Sequence, residues 1–167
     1  MSQNFLSLES GRPAVDIRPA NPADASQIVE LLRAVYTRFE AHFAPTALRW
    51  TPEDVAASIE DWLVAVPNSA ARSGAAAQRR TVGVVRHAED PLGYTFDALA
   101  VHPDYQRRAI GTLLVLACED QARVRGRSHV AIALRLSLEP TIEFFVKRGY
   151  SALRPFGERH RLYGKDL

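Results

Sequence analysis

The most informative part of the sequence reads Leu99-Ala100-Val101-His102-Pro103-Asp104-Tyr105-Gln106-Arg107-Arg108-Ala109-Ile110-Gly111-Thr112. An apolar run predicts a strand that ends at Val101, a turn follows, and small residues open a helix. The first turn of a helix presents backbone N–H groups without intrahelical acceptors, at the positive end of the helix dipole. Small residues let a phosphate approach that backbone closely. The physics alone therefore predicts a phosphate or pyrophosphate site between Gln106 and Thr112.

Two common phosphate-binding patterns do not describe this stretch. A Walker loop needs a Gly-Lys-Ser/Thr sequence, and none follows. A dinucleotide fingerprint needs three glycines, whereas this stretch holds only Gly111. The predicted anion is instead surrounded by the donors and positive charge of Gln106, Arg107 and Arg108.

Outward from this stretch, the apolar periodicity predicts an α/β (α+β) layer fold with a mixed sheet, in the order β-α-α-β-β-β-α-β-α-β-β. The strands are predicted at residues 15–18, 62–66, 81–86, 94–101, 130–136, 150–154 and 160–163. The helices are predicted at residues 22–40, 51–60, 108–125 and 140–149. The third and fourth strands form a predicted antiparallel hairpin, and residues 67–80 a surface loop. The nearly continuous apolar run at 130–136 predicts a strand buried on both faces.

Length and composition bound the class of protein. The chain has 167 residues, of which 47% are hydrophobic and 24% charged. These values are typical of one soluble globular domain and exclude a disordered chain, a collagen or a membrane bundle. We expect residues 1–13 to form a flexible lead-in and residues 14–167 a single domain. With no secretory signal and no membrane-spanning run, a cytoplasmic protein is the expectation.

The net charge, the single cysteine and the spacing of the histidines argue against nucleic-acid binding, a disulfide and a metal site. The net charge is +2, too weak to require a nucleic-acid partner. The lone Cys118 allows no intramolecular disulfide, and its place on an apolar helix face predicts a small buried hydrophobe rather than a nucleophile. The five histidines show no ligand spacing, so we predict no metal.

The central stretch also resembles motif A of the GNAT superfamily, the acyl-CoA-dependent N-acyltransferases. The family's pattern, Gln/Arg-x-x-Gly-x-Gly/Ala, is matched by Gln106-x-x-Ala109-x-Gly111. The closing segment Phe144-Phe145-Val146-Lys147-Arg148-Gly149-Tyr150 is similar to the family's Phe-Tyr-x-Lys-x-Gly-Phe. The predicted order of elements matches the family from Val15 to Tyr163.

The resemblance implies acetyl-CoA as cosubstrate and acetyl transfer to an amine nitrogen by direct attack. Its pyrophosphate would lie on the backbone amides that follow Gln106, those of Arg107, Arg108, Ala109, Ile110, Gly111 and Thr112. Its pantetheine arm would pair with the strand edge at Leu99, Ala100 and Val101. Two parallel strands, near Val101 and near Val130, would splay apart to admit it.

The chain departs from the family pattern at three positions. Ala109 replaces a glycine, which is tolerable where φ is helical because alanine is the best helix former. The family's frequent general-acid tyrosine falls at Phe145, and its frequent asparagine at about Leu138. A thiol with a pKa of about 8.5 is a tolerable leaving group, so a general acid is dispensable. Water or another phenol, Tyr150 or Tyr105, is the alternative proton source.

Asp97 is the candidate general base. It lies on the strand before motif A, where the family often carries an acid that works through water, and apolar neighbours would raise its pKa toward neutrality. The alternative is an ordinary hairpin carboxylate on a solvated face. His102 and His160 are weaker candidates: the first is a turn histidine beside the motif, and the second precedes the last strand near the expected acceptor cleft.

The aromatic residues around the first helix suggest the acceptor pocket. Tyr36 and Phe39 fit the inward helix face and favour core packing. Phe43 and Trp50 lie in the connection and are candidate acceptor-binding residues, with Arg49 as a neighbour that could hold an acidic group. A separate set of arginines could contact the 3′-phosphate of CoA or form a solvated helix end; it comprises Arg107, Arg108, Arg123, Arg125 and Arg127.

Three functions compete. The leading one is an N-acetyltransferase that moves an acetyl group from acetyl-CoA to a primary amine of a small molecule or peptide. The second is a catalytically weak acyl-CoA-binding or sensor domain, suggested by Phe145 and by the missing asparagine near Leu138. The third, a nucleic-acid-binding module built on the arginines, is disfavoured by the near-neutral net charge. The resemblance also suggests a homodimer through the last strands, and no membrane partner is expected.

Overall fold

The computed structural model describes residues 15–68 and 80–167, and they contain seven strands and four α-helices. The strands are β1 (Val15–Pro19), β2 (Trp62–Pro67), β3 (Gly83–Asp90), β4 (Gly93–Val101), β5 (His129–Arg135), β6 (Ser151–Phe156) and β7 (His160–Asp166). The helices are α1 (Ala25–Tyr36), α2 (Pro52–Ala57), α3 (Ile110–Val124) and α4 (Glu139–Val146). The predicted lead-in, residues 1–13, and most of the predicted loop at 67–80 lie outside the described residues.

The predicted order of elements is confirmed. Within the described chain the strands form one sheet in the order β1-β2-β3-β4-β5-β7-β6. Strands β4 and β5 are parallel, with Thr95 opposite Ala131, whereas β1–β2, β2–β3, β5–β7 and β6–β7 are antiparallel. The fold is therefore a mixed α/β layer architecture, as the sequence predicts.

The start of α1 follows from its capping residues. The Asn21 side chain accepts from the Ala23 amide, and Asp24 reaches back to the Asn21 amide, which satisfies two donors at the helix start. Asp24 also pairs with Arg18 at 2.7 and 2.9 Å. The helix ends at Tyr36 and continues as a 3₁₀ turn over Thr37–Phe39, so the predicted α-helical end near residue 40 is wrong by one turn. Such tightened turns are common at helix ends.

The described residues form two compact units. The first takes its residues from Met1–Arg86 and Ala98–Ala117. Its core packs α1 and α2 on the sheet around Ile28, Leu32 and Trp62, each at most 1% exposed. A Cβ added at Gly83 would come within 3.0 Å of Ile110 Cγ2 and Leu114 Cδ1. The absence of that side chain lets the first two turns of α3 pack directly on β3.

The second unit comprises His87–Asp97 and Cys118–Leu167. Its core is aromatic: the rings of Phe96, Phe145 and Tyr150 lie 5.3–5.9 Å apart, centroid to centroid. The unit also buries a carboxylate, because Glu119 is 1% exposed and accepts hydrogen bonds from Tyr150 and Lys165. No local pattern in the sequence predicts this buried carboxylate.

Two predictions about local structure need correction. Strand β5 is not buried on both faces, since Ala133 is exposed. A nearly continuous apolar run predicts double burial only when both faces are covered, and in this unit one face is partly open. Helix α3 begins at Ile110 rather than near Arg108, because Arg107 and Ala109 have positive φ angles. Among the described residues, no helix is long and apolar enough to span a bilayer.

Candidate functional site

The turn after β4 is fixed by its own side chains. His102 Nδ1 accepts from the amide of Asp104 and caps the 3₁₀ turn Pro103–Tyr105. The His102 ring packs edge-on against Tyr105, which favours the structural role considered for this histidine. Gln106 Nε2 then donates to the carbonyl of Val101 at 3.0 Å. This bond holds the end of β4 beside the segment that enters α3.

The backbone between Gln106 and α3 is strained. Arg107 has φ 63° and Ala109 has φ 61°, both in the left-handed region that non-glycine residues avoid. Successive N–H groups of a turn that contains left-handed residues can point to one side and form an anion-binding concavity. Strain of this kind costs about 1–3 kcal/mol per residue and clusters at functional sites. The conformation is thus evidence for an anion site, obtained from the backbone alone.

Helix α3 adds the amides of its first turn to the same place. Leu113 donates to the Ala109 carbonyl at 3.0 Å, which is the i to i−4 pattern of an α-helix. The preceding amides of Ile110 and Gly111 therefore have no acceptor within the helix. The side chains of Arg107 and Arg108 are exposed here and supply positive charge. We call the segment 106–112 the anion loop, and its donors suit a pyrophosphate.

The backbone at Ala109 differs from the conformation predicted from the sequence. The sequence predicts that alanine is tolerated here because φ is helical, whereas φ is 61°. Glycine reaches this region without steric cost, but alanine pays roughly 1–2 kcal/mol. Alanine at this position is therefore tolerated at the expense of stability.

Replacing Ala109 with glycine should raise the free energy of unfolding by about 0.5–1 kcal/mol, because relief of strain exceeds the greater freedom of glycine in the unfolded chain. Urea unfolding measures the change. Ala117→Gly is the matched control: it lies within α3, so the same substitution should lower the stability by about 1 kcal/mol. A loss of stability in both variants would contradict the left-handed assignment.

The predicted pantetheine strand also departs from regular geometry. Ala98 has φ 49° in the middle of β4, which marks a bulge-like irregularity before Leu99. The Tyr36 hydroxyl donates to the Leu99 carbonyl at 2.8 Å. This bond ties the end of α1 to β4. Tyr36 therefore makes a polar contact in addition to the core packing predicted for it, which the structure also shows.

The two candidate acceptor residues have separate surroundings in the first unit. The Phe43 ring stacks on Phe39 at 5.7 Å. The Trp50 ring packs edge-on against Trp62 at 5.1 Å, and the Arg86 guanidinium lies 5.0 Å from its centroid. Both candidates are half-buried, which leaves part of each ring accessible to a ligand.

The two candidate catalytic residues, Asp97 and Tyr150, belong to the second unit. Asp97 lies on β4 with an exposed side chain. Tyr150 is 2% exposed, and its hydroxyl donates to Glu119 Oε1 at 3.0 Å. Burial and the negative charge of Glu119 raise the pKa of the Tyr150 phenol, which makes it a weaker acid.

Glu119 and Lys165 are the residues that sequence reasoning missed around Tyr150. Lys165 Nζ donates to both oxygens of Glu119 at 2.9 Å. The available signal was the position of Glu119 directly after Cys118, at the end of the apolar run of α3. Cys118 is fully buried, and burial raises the pKa of its thiol. Cys118 therefore packs as the small hydrophobe predicted.

The arginines at the end of α3 have partners within the second unit. Arg123 pairs with Asp120 at 2.8 Å, Arg127 pairs with Glu89, and the Arg125 guanidinium lies over the Tyr94 ring. These contacts favour the solvated helix end over a phosphate site. Among the described residues, no cluster of three or more histidine, cysteine, aspartate or glutamate side chains could hold a metal ion.

Comparison with known families gives a direct match. Residues 28–150 match the model of the acetyltransferase (GNAT) family. This range includes the anion loop, both candidate catalytic residues and both candidate acceptor residues.

Solved structures share the fold at low sequence identity. The PaiA N-acetyltransferase of Thermoplasma acidophilum, in complex with coenzyme A, superposes with a TM-score of 0.76 at 14% identity, over 92% of this chain and 99% of that one. The N-acetylglutamate synthase of Neisseria gonorrhoeae, with coenzyme A and N-acetyl-glutamate, gives 0.72 at 19%, over 92% of this chain but 35% of that one. The GNAT domain of S. lividans PAT gives 0.68 at 20%, over 90% and 89%.

Proposed function

Because the chain belongs to the GNAT acetyltransferase family, we propose that it transfers an acetyl group from acetyl-CoA to a primary amine of a small molecule or peptide. The observation that carries the proposal is the anion loop, where strained backbone and helix amides converge. Coenzyme A contains a pyrophosphate, the group that such a cradle suits. Coenzyme A is also bound in two of the similar structures.

The proposed reaction assigns a role to each group of candidate residues. The anion loop binds the pyrophosphate, and the edge of β4 at Leu99, Ala100 and Val101 orients the pantetheine arm. Acetyl-CoA supplies an activated thioester. Asp97 takes the proton that the amine must lose, directly or through water, and Phe43 and Trp50 contact the acceptor.

We propose that departure of the thiolate needs no acid from the protein. Phe145 has no proton to donate, and its ring is buried in the aromatic core. Tyr150 could act as the acid only if its bond to Glu119 opened. A thiolate whose conjugate acid has a pKa of about 8.5 leaves without protonation, and water then equilibrates with it.

The acyl-CoA-binding or sensor domain is the second candidate function. It is favoured by the same two observations, the buried Phe145 and the engaged hydroxyl of Tyr150. It predicts binding of acetyl-CoA without acceptor-dependent release of CoA. Homodimerisation and a cytoplasmic location stay predictions.

Calorimetric titration tests the proposal first. We expect acetyl-CoA and dephospho-CoA to bind with micromolar dissociation constants, and pantetheine, which lacks the pyrophosphate, to bind at least 100-fold more weakly. Release of free thiol in the presence of a panel of amines then separates an enzyme from a binding domain. No heat of binding at millimolar acetyl-CoA would refute both functions.

A further inference from the structure

The second unit has an open sheet face that carries charged residues. Alternate residues of a strand share a face, and paired residues on neighbouring strands lie side by side. Thr95 is opposite Ala131, and Ala131 is opposite Gly164. Two residues further along β4 and β5, Asp97 and Ala133 therefore lie on this same face. We call it the Asp97 face.

Arg135 and His160 lie at one end of the Asp97 face. They are directly opposite each other in the β5–β7 pair, and Phe156 of β6 is opposite His160. Arg135 and His160 are half-buried, and Phe156 is 38% exposed. Burial and the positive charge of Arg135 lower the pKa of His160. The nearby charge of Arg135 therefore favours the neutral form of the His160 imidazole.

The same face is closed at its other end and open beside Arg135. A Cβ added at Gly164 would lie 2.7 Å from both His129 Nε2 and Leu153 Cδ1, so these side chains cover the sheet there. Ala133, by contrast, is exposed. The small side chain of Ala133 leaves an accessible floor between Asp97 and Arg135.

Positive charge concentrates around this open end. Arg159, in the turn between β6 and β7, is exposed. The Arg159 carbonyl accepts from the amide of Leu136, which fixes the turn against the end of β5. Glu158 is the one acid in the turn, so Arg135, Arg159 and Glu158 together leave this end net positive. Such a field attracts anions to the guanidinium of Arg135.

We propose that Arg135 binds a carboxylate of the acceptor, so that the acceptor is an amine that also carries a carboxylate, as an amino acid does. The inference rests on the proposed function and specifies its substrate class. The carboxylate accepts the forked hydrogen bonds of the guanidinium, while the amine lies over Ala133 toward Asp97. His160 and Phe156 flank the carboxylate and the carbon chain.

The test compares amines with and without the carboxylate. Glycine, aspartate and glutamate are assayed for thiol release, each beside its carboxamide. We expect the carboxylates to be preferred about 10- to 100-fold in kcat/KM, the range for a charge-assisted hydrogen-bond pair. In Arg135→Gln this preference should disappear through a higher KM, with an unchanged dissociation constant for acetyl-CoA. Arg135→Lys should recover part of it, and Arg33→Gln, an exposed arginine of α1, should leave it intact.

Binding of the carboxylates can be measured even if none of these amines is acetylated. Saturation-transfer NMR with the same amines in the presence of CoA reports whether the carboxylates bind and whether Arg135→Gln abolishes the signal. Arg135-dependent binding of the carboxylates supports the subsite even if no amine is acetylated. Equal signals from carboxylates and carboxamides, or carboxylate binding unchanged in Arg135→Gln, would overturn it. Absence of acetyl-CoA binding by calorimetry would instead refute the proposed function, which keeps the two failures distinct.

Discussion

Asp97→Asn should lower kcat by about 100-fold or more at neutral pH, because general-base catalysis typically contributes 10²–10⁴-fold. An alkylamine with a pKa of about 10 is almost fully protonated at pH 7 and cannot attack a thioester until it loses a proton. Asn keeps the shape of Asp97 but cannot accept that proton. The exposed position of Asp97 on β4 makes it accessible to a substrate.

The pH profile separates this role from a structural one. As the pH rises toward the pKa of the acceptor amine, the amine loses its proton to water and the need for a base falls. The deficit of Asp97→Asn should therefore be largest at low pH and shrink as the pH rises. Stopped assays of thiol release between about pH 6 and about pH 9.5, a range that approaches the pKa of the amine, would measure this deficit.

Asp166→Asn is the matched control, since Asp166 also lies in the second unit and its side chain is 96% exposed. It should leave kcat within twofold of the parent. A deficit in Asp97→Asn that is constant across the pH range would contradict the assignment of Asp97 as the base. A fall in thermal stability that accompanies the loss of rate would indicate a structural role.

The fold could be predicted from the sequence because its signals are local. The capping residues at Asn21 and Thr51 mark helix starts, and runs of apolar residues mark the strands. The anion loop was also predictable in position, since a strand, a turn and small residues lead into α3. The backbone geometry of the anion loop could not be predicted. Alanine favours the right-handed helical region, and only the folded turn holds Ala109 at φ 61°.

The polar contacts within the core were the least predictable part. The partners of Glu119 are Tyr150 and Lys165, which are 31 and 46 residues away in sequence. No local pattern links such positions, because their proximity depends on how β7 pairs with β5 and how α3 packs on the sheet. For the same reason, the sequence predicts Tyr150 as a possible proton donor but does not predict that its hydroxyl donates a hydrogen bond to Glu119.

Lys165→Met should destabilise the protein by about 3 kcal/mol, the lower end of the range for breaking a buried ion pair. Glu119 is 1% exposed, so its carboxylate cannot regain full hydration when the ammonium is removed. The Lys165 side chain is 24% exposed and Arg123 lies 4.0 Å from Glu119, and both moderate the loss. For a chain of this length, the melting temperature should fall by about 6–12 °C.

The chain supplies its own control, because its two lysines differ in burial. Lys147 pairs with Glu143 on α4, with side chains 75% and 70% exposed, and such exposed pairs contribute little. Lys147→Met should therefore change stability by less than about 0.5 kcal/mol. Adding Glu119→Leu to Lys165→Met should recover part of the loss, since an apolar side chain then replaces the stranded charge. Equal effects of the two lysine variants, or no recovery in the double variant, would show that the buried carboxylate does not depend on Lys165.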